Sequence, residues 1–306
     1  MTKAIVLGSV HMDLVATSTR LPGRGESVLG NGFTMAPGGK GGNQACQLAL
    51  AGIQSFMLTR LGDDLFGREL LAALKAKGVD TSLVSIDSAT STGASTVFAA
   101  EGDYSSIIVG GAADKLANAD IEAARDMLTG SDALLLQLEL PIEVSLRAAE
   151  IAKASGGIVI LNASPIPDVI DGRLQSLLKL TSVLVVNGIE AERLLNQKMP
   201  PLKAAQKLAD QFAIATVAIT QGAEGVVAFH AGAVISQKAY AAEVVDTVGA
   251  GDAFLGTFVA GMLNGLALPQ ILDRAIAAGA ITVTRKGAYN ALPNVAEVDA
   301  FLKRAH

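Results

Sequence analysis

Several things are scarce in this sequence, and each shortage closes off a class of protein. Cys46 is the only cysteine in 306 residues, so no internal disulfide can form and no thiolate cluster can hold a structural metal. That usage fits the cytoplasm. Tryptophan is absent and aromatic residues make up 4% of the chain. Lysine and arginine number 24 against 29 acidic residues, a net charge of -5. With no basic cluster interleaved with aromatics, nucleic acid is not an expected partner. The mean hydropathy is positive at +0.43, yet no apolar run approaches the roughly 20 residues of a membrane-spanning helix. The opening MTKAIVLGSVHMD has no small-residue cleavage site behind its short apolar stretch and reads as a strand. A soluble protein away from membranes is expected.

Apolar residues, at 50%, are plentiful, and charged ones make up 17%. Such a chain can bury a large core, which excludes a disordered or fibrous reading, and its length suits one domain. Short runs of valine, isoleucine and leucine recur at residues 4–8, 133–138, 158–161, 183–186 and 216–219. They predict strands buried on both faces. Helical spacing fills residues 41–51, 65–77, 121–128, 142–154, 202–212 and 253–263, with a closing helix at 295–304. This alternation predicts a layered α/β fold around a mostly parallel sheet.

Two stretches interrupt the alternation. Residues 13–35 carry Pro22, Gly23 and Gly25, and residues 94–109 place Glu101, Gly102 and Asp103 between strand-like runs. Each predicts a hairpin, and together they predict a small sheet that projects as a lid over a cleft. The chain has no internal repeat and no low-complexity tract.

Two glycine-rich segments carry the chemistry. VDTVGAGDAF, residues 245–254, leads into a predicted helix. Small residues at Gly249, Ala250 and Gly251 would leave the first backbone N–H groups of that helix open to a phosphate, with the positive end of the helix dipole behind them. Asp252 sits at the mouth of this anion pocket. A carboxylate there repels phosphate, so either it is a plain helix cap or it is a general base that takes the proton of an attacking hydroxyl. The second segment, PGGKGGNQA at residues 37–45, either lets something approach the backbone closely or meets a turn that needs positive φ. No Gly-Lys-Ser or Gly-Lys-Thr closes a phosphate loop, and Phe254 stands where the dinucleotide fingerprint needs a third glycine or alanine.

Taken together, the segments resemble the PfkB family of carbohydrate kinases, and the ribokinases within it. Gly38, Gly39, Gly41, Asn43, Ala45, Gly52 and Gly62 meet the family's N-terminal signature, and residues 246–252, DTVGAGD, meet the C-terminal one. The similarity runs from the first strand to VTRKGA at residues 283–288. It implies a three-layer ribokinase-like α/β fold with a small projecting β-sheet lid, and transfer of the ATP γ-phosphoryl group to a hydroxyl, most simply a primary one, of a sugar. It implies Asp252 as catalytic base over an anion hole of Gly249, Ala250 and Gly251. Asn187 and Glu190 stand as the family's Asn-x-x-Glu, the asparagine near the nucleotide phosphates and the glutamate ordering Mg2+ through water. Thr220, Gln221, Gly222, Ala223, Glu224 and Gly225 match a nucleotide loop, with Gly251 and Ile276 as further nucleotide contacts. For the acceptor, the resemblance implies His11, Asp13, Gly39, Lys40, Gly41, Gly42, Asn43 and Glu139. A K+ site falls on Asp246, Val248, Thr282, Arg285, Gly287 and Ala291, and the lid pairs subunits into a homodimer.

Two departures stand out. Ala291 weakens the K+ site if the family contact there is a side-chain oxygen. His11 replaces an asparagine two residues before the sugar-binding aspartate, and an imidazole cannot reproduce both amide contacts. That places the acceptor among ribose, another pentose, a deoxy or amino sugar, and a nucleoside. A nucleoside kinase is mildly disfavoured by the shortage of aromatics, and a non-catalytic sugar sensor by the retained Asp252.

Overall fold

The computed structural model describes residues 2–100 and 103–305. Its strands are β1 (Lys3–Leu7), β2 (His11–Thr17), β3 (Gly32–Gly38), β4 (Gln54–Gly62), β5 (Val84–Asp87), β6 (Thr92–Ala100), β7 (Asp103–Gly111), β8 (Ala133–Leu136), β9 (Ile158–Asn162), β10 (Val183–Asn187), β11 (Thr216–Thr220), β12 (Val226–His230) and β13 (Ala233–Gln237). Within β1, Ala4 and Val6 join one apolar cluster while Ile5 and Leu7 join another. The same split recurs in β8, where Ala133 and Leu135 face one cluster and Leu134 and Leu136 the other, and in β10. Successive side chains point to opposite faces, so strands apolar on both faces demand cover on both.

That cover gives three layers. One face carries the helices Lys40–Leu50, Leu65–Ala76, Ala250–Leu263, Leu268–Thr282 and Val295–Ala305. The opposite face carries Ile142–Ala154, Gly172–Leu180, Gly188–Leu195 and Pro201–Phe212. Among the described residues the central sheet has nine strands in the order β13-β12-β11-β10-β9-β8-β1-β4-β5. Neighbours run parallel except at one edge, where β12 is antiparallel to β11 and β13. No helix among the described residues is long and apolar enough to cross a membrane.

The small sheet is separate, in the order β3-β2-β6-β7. β2 pairs antiparallel with β3 and parallel with β6, and β6 pairs antiparallel with β7. Both expected hairpins exist, with Pro22, Gly23 and Gly25 in the connection between β2 and β3. Glu101 and Gly102, expected in the second turn, lie outside the described residues.

The helix expected at 121–128 is instead two, Asn118–Ala123 and Arg125–Thr129. Ala124 between them has φ -91° and ψ 5°, outside helical geometry, and the hydrogen-bond ladder restarts there. β4 has no counterpart among the apolar runs because Ser55 and Thr59, 1% and 0% exposed, put polar groups inside a buried strand.

Candidate active site

The central sheet changes direction beside β1. From β1 the chain moves outward through β4 and β5, then returns to add β8 on the other side. Open α/β sheets bind ligands at the carboxyl ends of strands at such a reversal. The residues just past the carboxyl ends of these two strands are polar: Ser9 and His11 after β1, Gln137 and Glu139 after β8.

The glycine-rich segment is threaded into this crevice. Gly39 caps the helix Lys40–Leu50 at φ 91°, and a Cβ there would stand 2.7 Å from the Ser9 carbonyl oxygen. Both readings of the segment therefore hold at once, positive φ and close backbone approach. Glu139 Oε2 accepts from Lys40 N at 3.0 Å and from Ser9 Oγ, so a carboxylate finishes a helix start that has no side-chain cap of its own.

The second segment arrives from the far end of the chain. Gly249, with φ 81°, is the N-cap of the helix Ala250–Leu263 and lies where a Cβ would stand 2.7 Å from Ala288 Cα. Asp252 is not a cap. Its Oδ2 accepts from Asn43 Nδ2 at 2.9 Å and its Oδ1 from Gln44 Nε2 at 2.8 Å, both on the helix Lys40–Leu50. The Thr247 and Gly249 carbonyls take the N–H groups of Ala250 and Ala253 at 3.3 and 2.9 Å. The first-turn amides of Gly251 and Asp252 have no acceptor among the described residues, and space beside Gly251 is open.

Asp252 is 8% exposed. Burial pushes its carboxyl above the usual carboxylate range, the nearby Glu139 adds to that, and Lys40 with the two amides opposes it. Asn43 Oδ1, also buried, has no hydrogen-bond partner among the described residues. A carbonyl oxygen left bare beside a carboxylate is a place for a hydroxyl to donate.

On β2, His11 and Asp13 are two residues apart and share a face. His11 Nε2 lies 3.2 Å from Asp13 Oδ1. The Asp13 carboxylate covers Gly38, where a Cβ would stand 2.2 Å from Oδ2.

The other end of the crevice is built differently. Asn187 and Thr220 are register partners at the ends of β10 and β11. Asn187 Oδ1 accepts from Glu190 N at 2.9 Å and Glu190 Oε2 from Asn187 N at 2.8 Å, a capping box at the start of Gly188–Leu195. Gln221 N donates to Gly225 O at 2.8 Å across the turn Gly222–Glu224. Asp246 receives Val248 N at 3.0 Å and Gly287 N at 2.9 Å. The Thr282 carbonyl accepts from Arg285 N at 3.0 Å and the Ala291 carbonyl from Arg285 Nη1 at 3.3 Å. These residues therefore gather around two facing loops. Ile276 is 6% exposed and packs in the apolar core.

The model of the pfkB family carbohydrate kinases matches residues 1–295. The chain belongs to that family. A pfkB kinase named ribokinase from Haemophilus influenzae is 33% identical over 304 residues, covering 98% of each chain. One named deoxyribokinase from Salmonella typhimurium is 30% identical and covers 97% of each. The solved ribokinase of Arabidopsis thaliana with ribose and ATP superimposes with a TM-score of 0.89 at 30% identity over 99% of both chains. The three-layer fold with its small separate sheet is thus the ribokinase-like fold.

Four polar residues of this pfkB site are missed by motif and spacing alone: Ser9, Gln44, Gln137 and Asn162. Gln44 is readable as the polar neighbour of Asn43 in PGGKGGNQA. Gln137 and Asn162 each end an apolar strand run, LLLQ and IVILN, and polar residues at those points face the ligand end of a parallel sheet.

Proposed function

We propose that this kinase transfers the γ-phosphoryl group of ATP to a sugar hydroxyl, a primary one, with Asp252 as general base. The observation that carries the reading is Asp252 itself, a buried carboxylate beside two open helix amides. The acceptor oxygen bonds the γ-phosphorus while its proton passes to an Asp252 oxygen, and the bond from phosphorus to the β,γ-bridging oxygen breaks to leave ADP. The helix start at Gly249, Ala250 and Gly251 stabilises charge on the transferring oxygens through its open amides, those of Gly251 and Asp252.

His11, Asp13, Gly39, Lys40, Gly41, Gly42, Asn43 and Glu139 bind the acceptor, with Asn43 Oδ1 free to receive a hydroxyl hydrogen. Asn187, the loop from Thr220 to Gly225, and Gly251 bind the nucleotide, and Ile276, 6% exposed, can offer it no more than an apolar edge. The capping box leaves Glu190 Oε1 without a partner among the described residues, which suits an ion held through water. Mg2+ would neutralise phosphate charge there. A K+ bound among Asp246, Val248, Thr282, Arg285, Gly287 and Ala291 would add positive charge beside the anion hole. At Ala291 the available oxygen is the carbonyl, so the loss of a side-chain oxygen does not remove the contact.

The small sheet is the lid, and closure would exclude water that hydrolyses ATP. Directly paired residues share a face, and Phe33, Met35, Phe98 and Ile107, 63%, 51%, 40% and 65% exposed, stand together on the face away from Asp13. That apolar face supports a homodimer through the lid, readable as molar mass in solution. The reaction belongs in the cytoplasm.

Asp252→Asn tests the base. Turnover should fall by about 10²- to 10⁴-fold with ATP binding retained, and near-normal turnover would refute the assignment. His11 is bound to Asp13, so the acceptor is settled by assaying ribose, 2-deoxyribose, hexoses and nucleosides side by side with ATP.

A further inference from the structure

The orientation of one half-buried amide, that of Asn162, is dictated by a backbone carbonyl. Val185 lies in the middle of β10, and its oxygen can only accept. Asn162 Nδ2 donates to it at 3.0 Å, which turns Asn162 Oδ1 toward Gln44. That oxygen lies 3.1 Å from Gln44 Nε2, and only an N–H can satisfy it. The same Nε2 stands 2.8 Å from Asp252 Oδ1. On the other side, Gln44 Oε1 accepts from Gln137 Nε2 at 2.6 Å. Gln44 and Gln137 are 0% and 1% exposed, so water does not compete for these bonds. The hydrogen-bond chemistry of the whole chain thus fixes which way each amide points.

We propose that Gln44 is the positioning residue of the base, locked by Asn162 and Gln137 so that it always presents an N–H to Asp252. The proposal rests on the reading of Asp252 as general base. Turned the other way, Gln44 would set its carbonyl oxygen against a carboxylate. Held as it is, it favours the ionised form that can take a proton, and it fixes one of the two carboxylate oxygens, leaving Asn43 to hold the other.

The charged groups that act on Asp252 are Lys40, from the helix Lys40–Leu50, and Glu139, beyond β8. Asp273 and Arg274, on the helix Leu268–Thr282 packed along that of Asp252, are engaged elsewhere. Asp273 holds Gln237 Nε2 at 2.9 Å and the Tyr240 hydroxyl, and Arg274 is paired with Asp299 at 2.7 Å. Neither competes with the amide chain.

The test is the pH dependence of kcat. Gln44→Met keeps the volume and removes both amide groups, and should move the acid limb of the profile upward by about one unit, the worth of one hydrogen bond to a charged group. Gln137→Met frees the Gln44 amide to turn, and should move the limb the same way by less. Either variant serves if the other fails to fold. Acid limbs that coincide with that of the unmodified enzyme would mean that Gln44 only fills space, and would overturn the proposal. Asp252→Asn separates the two levels. If that variant is inactive and the methionine variants titrate unchanged, the positioning role alone fails. If it stays active, the base reading fails and takes the positioning role with it.

Discussion

The two ends of the crevice are held by different kinds of contact. Around Asp252 the hydrogen bonds join residues 208 and 209 positions apart, and every participant is buried. Around Asn187 and Glu190 they join residues three apart at the surface. The Asp252 end is organised by the fold itself, before any ligand arrives, so its electrostatic work is done during folding. The Asn187 end obeys local capping rules and keeps half of each side chain in reserve. A ligand arriving there would meet groups that already have one partner and can take a second.

The sharpest test of this contrast is at Asn43. Replacing it by leucine removes the Nδ2 donor to Asp252 and the bare Oδ1 together, and kcat/KM should fall by about 10- to 100-fold, the range for a hydrogen bond to a charged group. A loss confined to nucleotide affinity would break the assignment of Asn43 to the Asp252 end. Next comes Glu190→Gln, which a capping box accepts. Melting temperature should stay within a degree or two while the Mg2+ concentration for half-maximal rate rises several-fold. A large drop in melting temperature with unchanged Mg2+ dependence would make Glu190 a purely structural cap.

The smallest effect separates stability from function at Asp252. Burial holds its carboxyl above the usual carboxylate range, so the charged form opposes folding. Stability is then lost as pH rises from about 4 through the raised value. Asp252→Asn removes that penalty, and Asn43 can turn its unpartnered oxygen toward the new amide. The variant should melt a few degrees higher than the unmodified protein near neutral pH and converge with it in acid. A variant that melts lower at every pH would show that the carboxylate stabilises the fold.

β1, β8, β9, β10 and β11 of the central sheet were legible because they are apolar on both faces, whereas β4 was hidden by its buried Ser55 and Thr59. β12 and β13 were not legible either, since VVAFH and AVISQ each mix polar residues into an antiparallel edge. Leu268–Thr282 escaped for another reason. Its run of small residues, AIAAG, lets it pack closely on Ala250–Leu263 and carries little helical periodicity. Asp252 was readable from its place at a glycine-rich helix start, but its partners were not. No spacing rule links Gln44 to a residue 208 positions away, and only the packing of two helices brings them together.

That separation has a consequence for the chain while it is being made. Asn43 and Gln44 leave the ribosome early, whereas Asp252 and its amides come from the last fifth of the sequence. Every nascent product that stops short of residue 250 lacks both this carboxylate and the open helix amides beside it. With Asp252 as the proposed base, a half-made molecule would have no means to squander nucleotide, however well its first strands have already paired.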